Sequence, residues 1–86
     1  MTVSRVGVPG VLSELKIGER RRIRGVLATC PPQVSRRLAS LGFVPGAVVT
    51  KVRSAPMRDP SIYRVMDYDI CLRAREAAQI ECEPVE

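Results

Sequence analysis

Apolar positions recur at two spacings along this chain, and the switch from one to the other divides it into elements. Val11, Leu12 and Leu15 form a short apolar entry, closed by the turn Ile17-Gly18-Glu19. Over residues 20–28, Ile23, Gly25 and Leu27 alternate with Arg22, Arg24 and Val26. A period of two predicts a strand with one face turned inward, and Gly25 inside it predicts a bulge or a sharp bend. Pro31-Pro32 then opens a helix, because a first turn has N–H groups without partners and loses nothing to proline. Val34, Leu38 and Leu41 fall at i, i+4 and i+7 and give this helix one apolar stripe, with Arg36, Arg37 and Ser40 on its other side.

The helix should stop at Gly42, where a left-handed residue costs glycine least, with Phe43 or Val44 folding back on its last turn. Pro45-Gly46 is a turn pair: proline presets φ at the first central position and glycine accepts a positive φ at the second. A β-branched strand over residues 47–53 follows. Leu38, Leu41, Gly42, Pro45 and Gly46 therefore read as structural positions. So do Pro56 and Pro60, which punctuate the connection Ala55-Pro56-Met57-Arg58-Asp59-Pro60. Strands are expected at 62–66 and 68–73, reversing near Asp67, with Tyr68, Ile70 and Leu72 on one parity. Residues 75–78 suit a single helical turn. A last strand over 80–83 sets Ile80 and Cys82 against Glu81 and Glu83. The sum is a mainly β domain of about five short strands and one short helix. Its sheet should bend until it closes on itself, removing exposed edges. The expected organisation is a flexible arm over 1–10 and a single domain over 11–86.

Size narrows the function. A chain of 86 residues buries only roughly 60% of its unfolded surface, and an enclosed active site would take much of that thin core. A binding or regulatory module is expected, not an enzyme. The chain has no histidine, so a Ser or Cys nucleophile lacks its usual base. No G-x-x-x-x-G-K-[ST] loop is present to cradle a nucleotide.

Charge is uneven. The net formal charge is +5, yet residues 1–43 hold eight basic against two acidic residues and residues 44–86 hold six against seven. Nearly all the cations are Arg, which forks onto carboxylate or phosphate. The basic half, with Arg20-Arg21-Arg22 and Arg36-Arg37, can meet an acidic protein surface, a nucleic acid or an anionic membrane face, or simply be solvated. RNA binding by a small basic barrel is the alternative function. Only Phe43, Tyr63 and Tyr68 are aromatic, however, and single strands need exposed rings for stacking. DNA is not an expected partner.

Cys30, Cys71 and Cys82 are an odd number with no C-x-x-C spacing. Cys82 shares the apparent core parity of Ile80 and reads as a small buried hydrophobe. Asp67 and Asp69 at a hairpin read as solvated acids. No resident metal and no cofactor are expected. The first fifteen residues lack a signal-peptide run, and no segment reaches the ~20 apolar residues that span a bilayer. A cytoplasmic protein with reduced thiols and no direct membrane insertion is the expectation.

The order of these features resembles the FeoA family, the small partner of the bacterial ferrous iron transporter FeoB. The residues that carry the resemblance are Ile17-Gly18-Glu19, Leu38 through Gly46 (LASLGFVPG), APMRDP at 55–60, Ile70-Cys71-Leu72-Arg73 and the run 77–83. Two positions depart from the family pattern: Arg58, where a small residue is usual, and Lys51, where an apolar one is usual. Lys51 is expected to twist its strand or shift its pairing. The resemblance implies an SH3-like barrel that performs no chemistry. It would dock on the cytoplasmic portion of FeoB, which holds a GTP-binding domain, and influence Fe²⁺ uptake, although related systems handle manganese. Arg36, Arg37, Ser40, Arg58 and Asp59 are the candidate contact residues. A homo-oligomer built on a free barrel edge is also open.

Overall fold

The structure, a computed structural model, describes residues 10–57 and 59–85. Its strands are β1 (Gly10–Val11), β2 (Arg20–Val26), β3 (Val48–Ser54), β4 (Ser61–Val65), β5 (Tyr68–Leu72) and β6 (Ile80–Pro84). Helix α1 spans Pro32–Ser40, helix α2 spans Ala74–Ala77, and a 3-10 turn, Leu12–Glu14, follows β1. All strand pairs are antiparallel, in the order β1-β6-β2-β3-β4-β5. The count exceeds the expected five by the two-residue β1, in which Gly10 stands opposite Cys82. Gly10 thus leaves the expected arm and joins the sheet, and the rest of that arm, 1–9, lies outside the described residues.

The inward face of the sheet supplies Ile23, Val49, Tyr63, Val65, Leu72, Ile80 and Cys82 to one core. Leu12, Leu38, Phe43 and Ala77 close it from the helical pieces and turns. Alternation therefore predicted the buried side of β6 correctly, but β2 differs. Ile23 faces Cys82, Gly25 faces Glu81 and Val26 faces Ile80, so Arg24 is an extra residue. One inserted residue inverts the parity beyond it. Val26, not Leu27, consequently packs against the core. Tyr68 is a second correction: it shares the parity of Leu72 yet is 70% exposed, because it stands at the hairpin end of β5, beyond the reach of the core.

Helix α1 ends as its sequence predicts. Phe43 N–H donates to Leu38 O and Gly42 N–H to Ala39 O, both at 3.0 Å, with Gly42 at φ 106°. This pair of bonds is the Schellman stop, and it drives Phe43 into the core. The turn Val44-Pro45-Gly46-Ala47 then closes through Ala47 N–H to Val44 O at 3.1 Å. The turn is also bound to β2: Gly46 N–H donates to Ile23 O and Ile23 N–H donates to Ala47 O, each at 2.8 Å.

Lys51 marks a shift in the β3–β4 register, as its unusual character predicted. Its Nζ reaches back to Leu15 O at 3.1 Å. Met66 and Asp67 carry positive φ, making β4 and β5 a two-residue hairpin. No hydrogen-bonded pairing joins β5 to β1 among the described residues. Instead α2, which follows β5, packs on the 3-10 turn that follows β1. The barrel is closed by buried Leu12 and Ala77 and not by a ladder, so the expected removal of both edges does not occur.

Candidate functional site

Helix α1 turns Leu38 into the core and leaves Arg36, Arg37 and Ser40 exposed. Helix α2 is bonded to Arg37 of α1 on one side and to Asp59 of the 55–60 connection on the other. The Arg37 guanidinium pairs with the Glu76 carboxylate. The other oxygen of Glu76 accepts from Arg73 N–H at 2.9 Å, and Asp59 Oδ1 accepts from Ala74 N–H at 2.8 Å. Three of the candidates are thereby engaged within the chain. Arg37 and Asp59 hold α2, and the Ser40 hydroxyl donates to Arg37 O at 2.8 Å. Arg36 has no ion-pair partner among the described residues. Arg58 lies outside them. Glu76 was not singled out by the sequence; the trace it left there is Arg73 three residues before a Glu, a capping pattern with an unusual first residue.

The three consecutive arginines of β2 divide between two faces. Arg21 shares the parity of Ile23 and lines a cleft of about 220 Å³ with Glu14, Lys16, Glu19 and Cys82. Arg20 and Arg22 point the other way, with Arg20 level with Thr50 and so with Arg64 across β3. Arg64 is bonded to Asp69 at 2.8 and 3.2 Å, and Arg24 lies 3.8 Å from Glu83. The basic character of the first half is thus spread over the barrel and partly neutralised by acids of the second half.

The cleft has little chemistry to offer. The Lys16 backbone N–H holds the Glu19 carboxyl below the usual carboxylate range, and Arg21 and Lys16 add to the effect. Burial pushes the Cys82 thiol up to about 11, so at neutral pH it is protonated and a poor nucleophile or ligand. Cys30 is half-buried and Cys71 exposed, on separate elements. Among the described residues no three Cys, Asp or Glu side chains converge as a metal site. Phe43 and Tyr63 are buried, which leaves Tyr68 as the one exposed ring.

Residues 11–84 match the FeoA domain. The chain belongs to the FeoA family. A curated relative, the Fe(2+) transport protein A/Fe(2+) transporter FeoB fusion protein of Porphyromonas gingivalis, is 43% identical over 77 residues, covering 84% of this chain. This chain corresponds to 8% of that protein's length. The solution structure of FeoA from Chlorobium tepidum superimposes with a TM-score of 0.80 at 36% identity, over 88% of this chain and 70% of that one. FeoA of Stenotrophomonas maltophilia, solved with zinc and described as a prokaryotic SH3-domain protein, gives 0.75 at 29% identity, over 85% and 88%. The match begins one residue after the first described position and ends one before the last, so the whole barrel is the FeoA domain. No helix among the described residues is long and apolar enough to cross a membrane.

Proposed function

We propose that this chain is a non-enzymatic, cytoplasmic accessory protein of bacterial ferrous iron uptake, docking on the cytoplasmic GTP-binding region of a FeoB-like transporter. The observation that carries this reading is the fusion relative, in which a domain 43% identical to this one shares a polypeptide with FeoB. A covalent link holds two domains at high local concentration. Separate chains must reach the same proximity through a contact surface. The outward face of α1, with Arg36, Arg37 and Ser40, together with Asp59 across α2, is the surface proposed for that contact. Arginine is enriched at binding hot spots, and Arg36 has no ion-pair partner among the described residues. Iron is the partner's cargo. This chain supplies a surface, with any nucleotide chemistry left to the transporter.

Binding of the purified chain to the FeoB cytoplasmic region, measured at two salt concentrations, tests the proposal. Arg36→Glu alone and Arg36→Glu with Arg37→Glu should each weaken binding about tenfold or more, with the larger effect at low salt. The single variant matters because Arg37 also holds Glu76. Unchanged affinity in both would remove the α1 face from the interface. Gel shifts with RNA serve as the contrasting arm: retention of RNA without binding to FeoB would favour the basic-barrel alternative, against which the burial of Phe43 and Tyr63 already weighs.

A further inference from the structure

The two edges of the sheet are protected unequally. β1 is two residues long, and an edge that short offers little to pair with. β5 runs for five residues, Tyr68-Asp69-Ile70-Cys71-Leu72, without a proline, a lysine or a bulge. Its one charge, Asp69, is already bonded to Arg64. In the two-residue hairpin the closing pair Val65–Tyr68 exchanges hydrogen bonds, and the pattern alternates from there. Tyr63–Ile70 and Ser61–Leu72 are therefore bonded pairs, while Asp69 and Cys71 aim their N–H and C=O groups away from β4, at the edge that no described strand covers.

We propose that β5 pairs antiparallel with β5 of a second copy, about a two-fold axis over Ile70. This register sets Asp69 opposite Cys71 of the other copy, twice. All four outward N–H groups and all four outward C=O groups of the two strands then find partners. Side chains agree with it. Ile70 meets Ile70, exposed Tyr68 meets Leu72, and beyond the ladder Asp67 stands opposite Arg73, so DYDICLR is its own complement. The neighbouring registers are poorer. Centring on Asp69 opposes like charges. Centring on Cys71 calls on the Arg73 backbone, whose N–H is already given to Glu76 and whose C=O already accepts from Glu76 and Ala77.

Sedimentation equilibrium of the full chain up to ~1 mM, a range suited to so small an interface, tests this pairing. A monomer–dimer equilibrium is expected. Cys71→Pro should weaken it about tenfold or more: it removes an outward N–H and leaves the β4 ladder intact, the one placement a strand allows proline. Asp69→Lys, which guards the edge with an unpaired cation, should do the same and serves if the proline variant fails to fold. Register is read by cross-linking in a Cys30→Ser background. The Cys71 residues of the two copies lie diagonally, roughly 7–8 Å apart, so a short bismaleimide should join them while oxidation to a disulfide should not. A chain that stays monomeric throughout, a dimer indifferent to both variants, or ready disulfide formation would each overturn the proposal.

Discussion

Two turn-rich passages flank β3, and different kinds of bond hold them. The first, from Leu38 to Ala47, is fastened by main-chain bonds: Phe43 to Leu38, Gly42 to Ala39, Ala47 to Val44, and two more into β2 at Ile23. The second runs from Ala55 through Pro60 and is tied to α2. Among the described residues it has one main-chain bond, Ala55 N–H to Pro60 O at 2.9 Å, and is tied to α2 by the Asp59 carboxylate, while Glu76 ties α2 to Arg37. Backbone bonds on a buried framework answer to torsion and packing. Charged bonds at the surface answer to salt, to acid and to an arriving partner. The first passage is therefore the scaffold, and the second is the part of the candidate surface that can change its bonds without dissolving the barrel.

The comparison can be broken by measurement. The largest effect belongs to Leu38→Ala, which empties a fully buried site under the first passage and should cost about 3 kcal/mol in chemical denaturation. If it costs no more than a change at Asp59, the scaffold assignment fails. Gly42→Ala comes next, at about 1–2 kcal/mol for a left-handed residue with a side chain. Its new Cβ would sit 3.4 Å from Met66 Sδ and 3.6 Å from Val65 Cγ1, ordinary contact distances, so the cost comes from the backbone torsion. Asp59→Ala should cost about 1 kcal/mol, as loss of a helix-end acceptor does, while Asp59→Asn, which keeps an acceptor oxygen, should recover most of it. Arg37→Ala should cost less than about 1 kcal/mol, and its difference from wild type should shrink further in high salt. A salt-insensitive loss there would mean that Arg37 acts through packing. The smallest effect is acid titration at the hairpin that leans on Gly42. The hydrogen bond from Arg64 holds the Asp69 carboxyl below its usual range. That contribution is present above the unfolded Asp pKa of about 3.9 and fades as pH falls through the lower folded value. Asp69→Asn should abolish this part of the acid sensitivity and lower stability near neutrality by the same small amount.

Much of the barrel could be read from local chemistry. The Schellman stop at Gly42, the turn at Pro45-Gly46, the bulge near Gly25 and the inward side of Ile80 and Cys82 each depend on a few adjacent residues. Those few residues limit the torsions sharply. Failures came where a distant neighbour decided the matter. The bulge was anticipated, but its consequence for Val26 and Leu27 depends on the register with β6. Tyr68 follows the core parity and is exposed because the core ends before it does. The sequence singles out Arg36, Arg37 and Asp59 from an exposed helix side, a turn-rich connection and the enrichment of arginine at interfaces. What links Arg37 to Asp59 is α2, a four-residue helix whose Glu76 has no apolar periodicity to announce it. Arg20, Arg21 and Arg22 looked like one patch, and strand alternation sends Arg21 to a different side of the sheet.

The sequence by itself determined the order of the main elements, the places where the chain must turn, the inward side of the last strand and the resemblance to FeoA. Glycine, proline and apolar spacing act over a handful of residues and need no knowledge of the rest. Only the tertiary structure decided which carboxylate meets which guanidinium, how the barrel closes without a β1–β5 ladder, and which edge no described strand covers. Those outcomes depend on residues far apart in the chain, such as Arg37 and Glu76, and only the packing of the whole sheet brings them within bonding distance.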